Sequence, residues 1–365
     1  MLPQKKIDEH FMRIALSLAR RGTGRTSPNP RVGCVVVRDG AIIGKGYHAC
    51  CGEDHAELAA LRDIAAGQGA TLYVNLEPCS HFGRTPPCAP LVVEKGIGRA
   101  VIGMIDPDER VRGKGADILR KGGVAVDVGV LEEECRHLNR GFIRRATLGR
   151  PWITVKGAVS MDGSMALENG ESKWITGPEA RAAAHLLRSE HDGVLVGSGT
   201  VERDDPELTV RHTCGTSPVR IVLDSGLATS PTARVLGKGC RIYAAPGASR
   251  ERAERLRSEG AEIATVPRGE KGLCLGNVLA DAASAGMTSI LVEGGPSVIS
   301  SFFREGLVDS VSLFLSPRLL GRGIPLSGGI SFSCMEETIR FRSCSVRPIG
   351  KDFLFEGMPE CSPDL

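Results

Sequence analysis

Residues 77–88 read EPCSHFGRTPPC, and upstream of them residues 55–57 read HAE. The stretch sets Cys79 and Cys88 nine positions apart, with His81 and Arg84 between them and His55 ahead of both. A disulfide, a metal site or chance could each place two cysteines this way. The chain opens MLPQKKIDEHFMRIALSLAR, which carries Asp8 and Glu9 and lacks a long apolar core. That is not the pattern of an export signal. Phe11, Ile14, Ala15, Leu18 and Ala19 recur at helical spacing, so the stretch reads as an amphipathic helix, with Gly22 as its stop. No apolar run is long enough to span a bilayer, so a soluble, cytoplasmic protein with no membrane partner is expected. In a reducing compartment a disulfide framework is disfavoured, and most of the twelve cysteines, such as Cys34 in VGCVVV, read as buried thiols.

A metal reading explains more. Zinc takes about four ligands, and three from the protein leave one position for water. His55, Cys79 and Cys88 supply a nitrogen and two sulfurs, and water bound there has a pKa near about 7. Glu57, two residues after His55, could carry protons from that water to a leaving amine. Alternatives stand beside this. Asp54-His-Ala-Glu57 also spells a capping box, in which Glu57 would only satisfy backbone donors. Cys50 or Cys51 could close a four-ligand structural zinc site. Prolines before Cys79 and Cys88 stiffen the loop that must bring both sulfurs together, and Cys88 opens a predicted helix. Zinc deaminases of nucleobases carry H-x-E followed by P-C-x-x-C. Here SHFGRTPP separates the cysteines, a length suited to a second task such as holding a phosphorylated substrate with Ser80, His81 and Arg84.

Outward from this motif, short β-branched runs alternate with helical stretches. Strands are expected at 32–40, 41–48, 70–77 and 99–106, with a hairpin turn at Arg38-Asp39-Gly40, and helices at 55–67 and 89–96. After the basic, proline-ended stretch RRATLGRP (144–151), strands resume at 152–163, 192–199, 219–225, 241–246, 289–295 and 310–317. Helices at 178–190 and 249–260 interleave with them. The pattern gives two α/β domains, as a length of 365 residues suggests. The net charge is +3 and aromatics are 4%, which argues against a nucleic-acid partner. In the second half, ILVEGGPSVISSFF reads as a strand ending in Gly-Gly before a helix whose start could bind phosphate, or as an ordinary turn.

The motif EPCSHFGRTPPC, with PNPRVGCVVV (28–37), GYH (46–48) and HAE (55–57), resembles the deaminase half of the bifunctional riboflavin-biosynthesis family RibD. The resemblance continues through KGAVSMDG (156–163), GESKWIT (170–176), DDPELTVR (204–211) and VEGGP (292–296). It implies a cytidine-deaminase-like α/β/α layered domain over residues 1–147, a dihydrofolate-reductase-like α/β domain over 148–358, and a flexible tail at 359–365. It implies zinc-dependent deamination of 2,5-diamino-6-(5-phosphoribosylamino)pyrimidin-4(3H)-one, with Glu57 as proton shuttle, then NADPH-dependent reduction of the ribosyl group to ribityl. Asn29, His48, His81 and Arg84 match deaminase substrate positions. Ala158, Trp174, Thr200, Asp204, Ser225, Gly295, Pro296, Ser297, Val298, Ile299, Ser300 and Ser301 match cofactor positions. Ser172, Arg188, Asp204, Leu208, Arg211 and Glu293 match reductase substrate positions, with Arg188 and Arg211 suited to a 5′-phosphate. Lys156 and Asp162 are placed near the reacting carbon. A homo-oligomer acting on a small phosphorylated pyrimidine is expected. The competing enzyme reading is a zinc deaminase of another nucleotide or of tRNA with a non-catalytic C-terminal half.

Overall fold

The structure, a computed structural model, describes residues 3–82, 86–109, 111–211 and 213–364. The chain divides into two compact units between Gly149 and Arg150.

The first unit runs α1 (Gln4–Arg20), β1 (Gly33–Arg38), β2 (Ala41–Tyr47), α2 (Ala56–Leu61), β3 (Thr71–Val74), α3 (Cys88–Glu94), β4 (Arg99–Ile102), α4 (Lys114–Lys121), β5 (Ala125–Val128), α5 (Glu132–Leu138) and α6 (Arg140–Leu148). Its five strands lie in the order β2-β1-β3-β4-β5. β1 is antiparallel to both neighbours, and β3, β4 and β5 run parallel. The expected turn joins β1 to β2 through Asp39 and Gly40, both at positive φ. Cys34, Val35 and Val36 are fully buried, so β1 reads as a continuous apolar run because both its faces are covered. Gly46 makes room for α2 on β2: a Cβ there would lie 2.4 Å from the Ala56 carbonyl oxygen. The helix expected over 55–67 is six residues long. Its continuation is captured by the next layer, where Lys95 Nζ donates to the Ile64 carbonyl at 2.7 Å and Gly67 N donates to the Lys95 carbonyl at 2.7 Å.

The second unit runs β6 (Trp152–Ser160), β7 (Ser164–Leu167), α7 (Pro178–Ser189), β8 (Gly193–Gly197), α8 (Ser198–Asp204), β9 (Val219–Leu223), β10 (Cys240–Ala244), α9 (Arg250–Ser258), β11 (Ala261–Thr265), β12 (Arg268–Gly269), β13 (Gly272–Leu273), α10 (Leu275–Ser284), β14 (Ser289–Val292), α11 (Pro296–Arg304), β15 (Ser310–Ser316), β16 (Gly323–Pro325), β17 (Phe341–Ile349) and β18 (Asp352–Pro359). Nine strands form one sheet in the order β11-β10-β9-β8-β14-β6-β15-β18-β17. It is parallel from β11 to β15 and closes with the antiparallel hairpin of β17 and β18. The sequence pattern missed that hairpin, because β17 is solvent-exposed along most of its length and shows no apolar run. Within the expected tail, Ser362 is 3% exposed and its Oγ donates to Asp309 Oδ1 at 3.1 Å. Asp309 is wholly buried and also pairs with Arg150 at 2.6 Å, linking both ends of this unit.

Candidate active sites

The N-terminal site is built where β3 ends and two helices begin. β3 leads into the 77–79 segment, which carries Cys79. Cys88 is the first residue of α3, and His55 is the N-cap of α2. His55 Nδ1 lies 3.5 Å from Cys79 Sγ and 3.4 Å from Cys88 Sγ, and all three atoms lie within 4.8 Å of one another. A tetrahedral zinc with ligand bonds of roughly 2.0–2.3 Å separates its ligands by roughly 3.5 Å, so the donor set and its spacing fit that ion. Among the described residues no further His, Cys, Asp or Glu joins this cluster, so Cys50 and Cys51 do not close a four-ligand site.

The protons of these groups are strongly linked. The Cys88 thiol donates to Cys79, which outweighs burial and, with His55, holds the Cys79 thiol down at about 4. The same bond, with burial, pushes Cys88 up. His55 is raised by its hydrogen bond to Cys79. Two sulfurs sharing one proton beside an imidazole is the state a divalent cation displaces. Glu57 is 4% exposed, and burial together with the Cys79 sulfur pushes its carboxyl up to about 7. The capping box does not form. His55 takes the N-cap without a side-chain bond, and Asp54 pairs with Arg62 instead. Glu57 is thereby left on the metal side.

His48 and Asn29 join this site. The His48 ring is buried, edge-on to His55 with centroids 5.6 Å apart. Its Nδ1 lies 3.0 Å from the Asp54 carbonyl, which can only accept, so Nδ1 carries the proton. Nε2 then accepts from the Asn29 amide at 3.1 Å, which fixes the rotation of the carboxamide. Burial lowers the His48 pKa and keeps the ring neutral. His81 is exposed on the following loop, close enough to act electrostatically on Asp106, whose carboxyl burial pushes up to about 6. Arg84 lies outside the described residues.

Sequence reasoning missed Glu77. Its carboxylate accepts from the backbone amides of Asp106 at 3.1 Å, Gly113 at 3.0 Å and Ala116 at 3.0 Å. It thereby ties the 106–116 segment to the strand end that carries Cys79. Gly115 permits the approach: a Cβ there would lie 2.0 Å from the Pro78 carbonyl oxygen.

In the second unit, a cleft of about 510 Å³ opens at the carboxyl ends of β8 and β9 and the start of α11. Thr200, Ser225, Gly295, Pro296, Ser297, Val298 and Ser301 of the expected cofactor set line it. Within 296–301 the helix period divides the residues. Ile299 is core, and Ser300 Oγ is buried with no hydrogen-bond partner among the described residues. Ala158 lies on β6 and packs beside Phe314, and Asp204 ends α8, so neither lines this cleft. Trp174 is 62% exposed, with the Arg181 guanidinium 4.5 Å above its ring. The cleft's size and its helix start suit a dinucleotide. Arg203 and Lys271, which also line it, were not singled out in the sequence because isolated basic residues look like solvated surface.

A buried ion cluster stands apart from that lining. Arg188 holds Glu293 bidentately at 2.6 and 3.0 Å, and Lys156 Nζ lies 3.6 Å from the same carboxylate. Burial would raise Glu293, but the Arg188 and Lys156 charges outweigh it and hold it at about 2. Arg188 also donates to the Thr209 carbonyl at 3.1 Å, so three of its five N–H donors are engaged. Arg211 pairs with Glu207, and its backbone N–H donates to His185 Nδ1 at 3.1 Å. Leu208, between them, is buried with φ 54°. Ser172 is half-buried ahead of α7. Asp162 has a different employment: it accepts from Ser160 Oγ, from Leu320 N at 3.1 Å and from Gly321 N at 2.8 Å, anchoring that loop.

Comparison with known proteins follows the same division. Residues 5–104 match the family described as cytidine and deoxycytidylate deaminase zinc-binding region, and residues 151–355 match the RibD C-terminal domain. The riboflavin biosynthesis protein RibD of Aquifex aeolicus is 42% identical over 353 residues, covering 96% of this chain and 98% of its own. The protein of the same name from Escherichia coli is 38% identical, covering 94% and 97%. Among solved structures, Acinetobacter baumannii RibD superposes with a TM-score of 0.89 at 34% identity, covering 97% of this chain and 99% of its own. A Thermotoga maritima diaminohydroxyphosphoribosylaminopyrimidine deaminase/5-amino-6-(5-phosphoribosylamino)uracil reductase gives 0.86 at 36%, covering 98% and 100%.

Proposed function

The chain belongs to the RibD family of riboflavin-biosynthesis enzymes, and from that membership we propose how its residues divide the two reactions. It is a bifunctional enzyme: a zinc-dependent deaminase precedes an NADPH-dependent reductase, and the substrate is a small phosphorylated pyrimidine. A C-terminal half without catalysis is not favoured, because the reductase family match covers residues 151–355.

In the deaminase unit, His55, Cys79 and Cys88 hold the metal, which supplies a water acidic enough to ionise near neutral pH. Glu57 would take a proton from that water and pass it to the amino group, so that the water oxygen bonds the ring carbon as the C–N bond breaks, leaving a ring carbonyl and releasing ammonia. Buried beside His55 and away from bulk water, it is screened from losing the proton elsewhere. Asn29, held through its amide by His48, presents its carbonyl oxygen to the donor edge of the pyrimidine. His81 meets the phosphoribosyl side. The mutual contact of the three donor atoms carries this assignment.

In the reductase unit the residues lining the 510 Å³ cleft would hold NADPH, which would supply the hydride. Glu293 and Lys156 face the ribosyl group, oriented by Arg188, whose two remaining donors are open to the substrate. Arg211 meets the 5′-phosphate once it turns from Glu207. Asp162 acts at a distance, by holding the 320–321 loop. The limit between the two units, expected at 147/148, lies instead between Gly149 and Arg150, after α6 ends, and the reductase unit runs past 358 to include the end of β18 and Ser362. The enzyme works in the cytoplasm as a homo-oligomer, without nucleic-acid or membrane partners. Support for this comes from the balanced charge, the open edge of β17, and the fact that no described helix is long and apolar enough to cross a membrane.

A coupled assay on purified protein tests the whole. With the diaminopyrimidine phosphate, about one zinc per chain and ammonia release followed by NADPH oxidation are expected. Ammonia without NADPH oxidation would remove the reductase assignment.

A further inference from the structure

The cleft that receives NADPH also carries a reason to prefer it over NADH. Its lining includes two cationic side chains, Arg203 and Lys271, and no carboxylate. The two cations are placed differently. Arg203 Nε donates to the Gly199 carbonyl at 3.1 Å, and its guanidinium lies against Gly295, whose Cβ would sit 3.8 Å from it. It is thus pinned where α11 begins, the natural seat of a diphosphate. Lys271 sits in the turn between β12 and β13, beside Leu273 and Leu275, and has no hydrogen-bond or ion-pair partner among the described residues.

An enzyme that selects the free 2′-hydroxyl offers the ribose a carboxylate. On the β9 side of this cleft the acid is Asp224, which follows the strand and precedes the lining residue Ser225. It is 1% exposed, and both its oxygens are taken: Ala228 N donates at 2.9 Å, Thr229 N at 2.7 Å and Thr229 Oγ1 at 2.7 Å. The next residue, Ser225, faces the cleft instead. A bare ribose diol therefore meets no carboxylate on this wall. A ribose carrying a phosphate meets a hydroxyl donor and an unengaged ammonium.

We propose that Lys271, together with Ser225, recognises the 2′-phosphate of NADPH and sets the cofactor preference, while Arg203 serves the diphosphate that both nicotinamide cofactors share. The proposal rests on the reading of this cleft as the NADPH site.

Calorimetric titration of the full-length protein with NADP⁺, NAD⁺ and adenosine 2′,5′-bisphosphate tests it without recourse to turnover. Lys271→Ala should weaken NADP⁺ and the bisphosphate by about tenfold or more, as loss of one charge-assisted hydrogen bond predicts, and leave NAD⁺ within about twofold. Lys271→Arg should restore most of the difference. Arg203→Ala should weaken NADP⁺ and NAD⁺ by the same factor. Equal loss of NADP⁺ and NAD⁺ in Lys271→Ala, or no loss of either, overturns the proposal. If the wild-type protein binds neither NADP⁺ nor the bisphosphate, the cleft assignment falls, and the proposal with it. That result is distinct, because it appears before any substitution is made.

Discussion

The two sites are built on opposite plans. In the N-terminal unit the chemistry gathers at three atoms in mutual contact, His55 Nδ1 and the sulfurs of Cys79 and Cys88, with one buried carboxylate beside them. In the C-terminal unit the expected cofactor residues are spread along a cleft of about 510 Å³ lined largely by glycine, short hydroxyls and backbone, apart from the buried cluster of Arg188, Glu293 and Lys156. Concentrated chemistry demands particular elements, nitrogen and sulfur, at fixed separations. Extended binding demands shape, and many residues can supply shape. A substitution in the first site should therefore act all-or-none on one reaction, and one in the second should act by degrees.

The sharpest way to break that contrast is Glu57→Gln. Ammonia release should fall by about a thousandfold, with zinc content unchanged and reduction of supplied deaminated substrate intact. A parallel loss of both activities would mean that the two sites are not independent. Next in size is Glu293→Gln. Arg188 and Lys156 hold this carboxyl at about 2, below its ordinary value of 4.5, so it stabilises the fold above about pH 4.5 and loses that contribution as the pH falls towards 2. The variant should be less stable at pH 7 by an amount on the order of 3 kcal/mol, and the deficit should shrink on acidification. Urea titrations at several pH values read this directly; a constant deficit would remove the charge pairing as its cause. Gly115→Ala should be milder and confined to one unit. The added Cβ must push the Pro78 carbonyl aside, which lowers zinc affinity and deamination several-fold while NADPH binding stays unchanged. The smallest effect is Ser362→Ala, worth about 1 kcal/mol through its bond to Asp309. A small fall in the melting temperature of the reductase unit is expected, and no change would restore a free tail at 359–365.

The same contrast decides what could be read from the chain. HAE and EPCSHFGRTPPC pointed to the candidate metal cluster of His55, Cys79 and Cys88 because few arrangements satisfy that geometry, and the strand alternation indicated both α/β units. The capping box at Asp54 was spelled but not built, since Arg62 competes for its carboxylate. The β17–β18 hairpin was missed because an exposed strand has no apolar signature. Asp162 and Glu293 looked alike as family-matched acids. Yet one accepts backbone amides at a turn, and the other is buried between cations. Only tertiary contacts separate those roles. Arg203 and Lys271 carry no local signal at all, because their meaning lies in which surface they share.

The carboxylate of Glu77 has a consequence for how neighbouring letters of a motif should be weighed. Three amide hydrogens converge on it, so the site is an electrostatic keystone. Glutamine would bring its own NH₂ against those donors, and aspartate would stop one methylene short. Position 77 should thus tolerate almost no replacement, although it touches neither metal nor proton in flight. The glutamate of HAE and the glutamate of EPC are two identical letters with the same intolerance. In the mechanism proposed above one is a moving part of the reaction, and the other is the masonry around it.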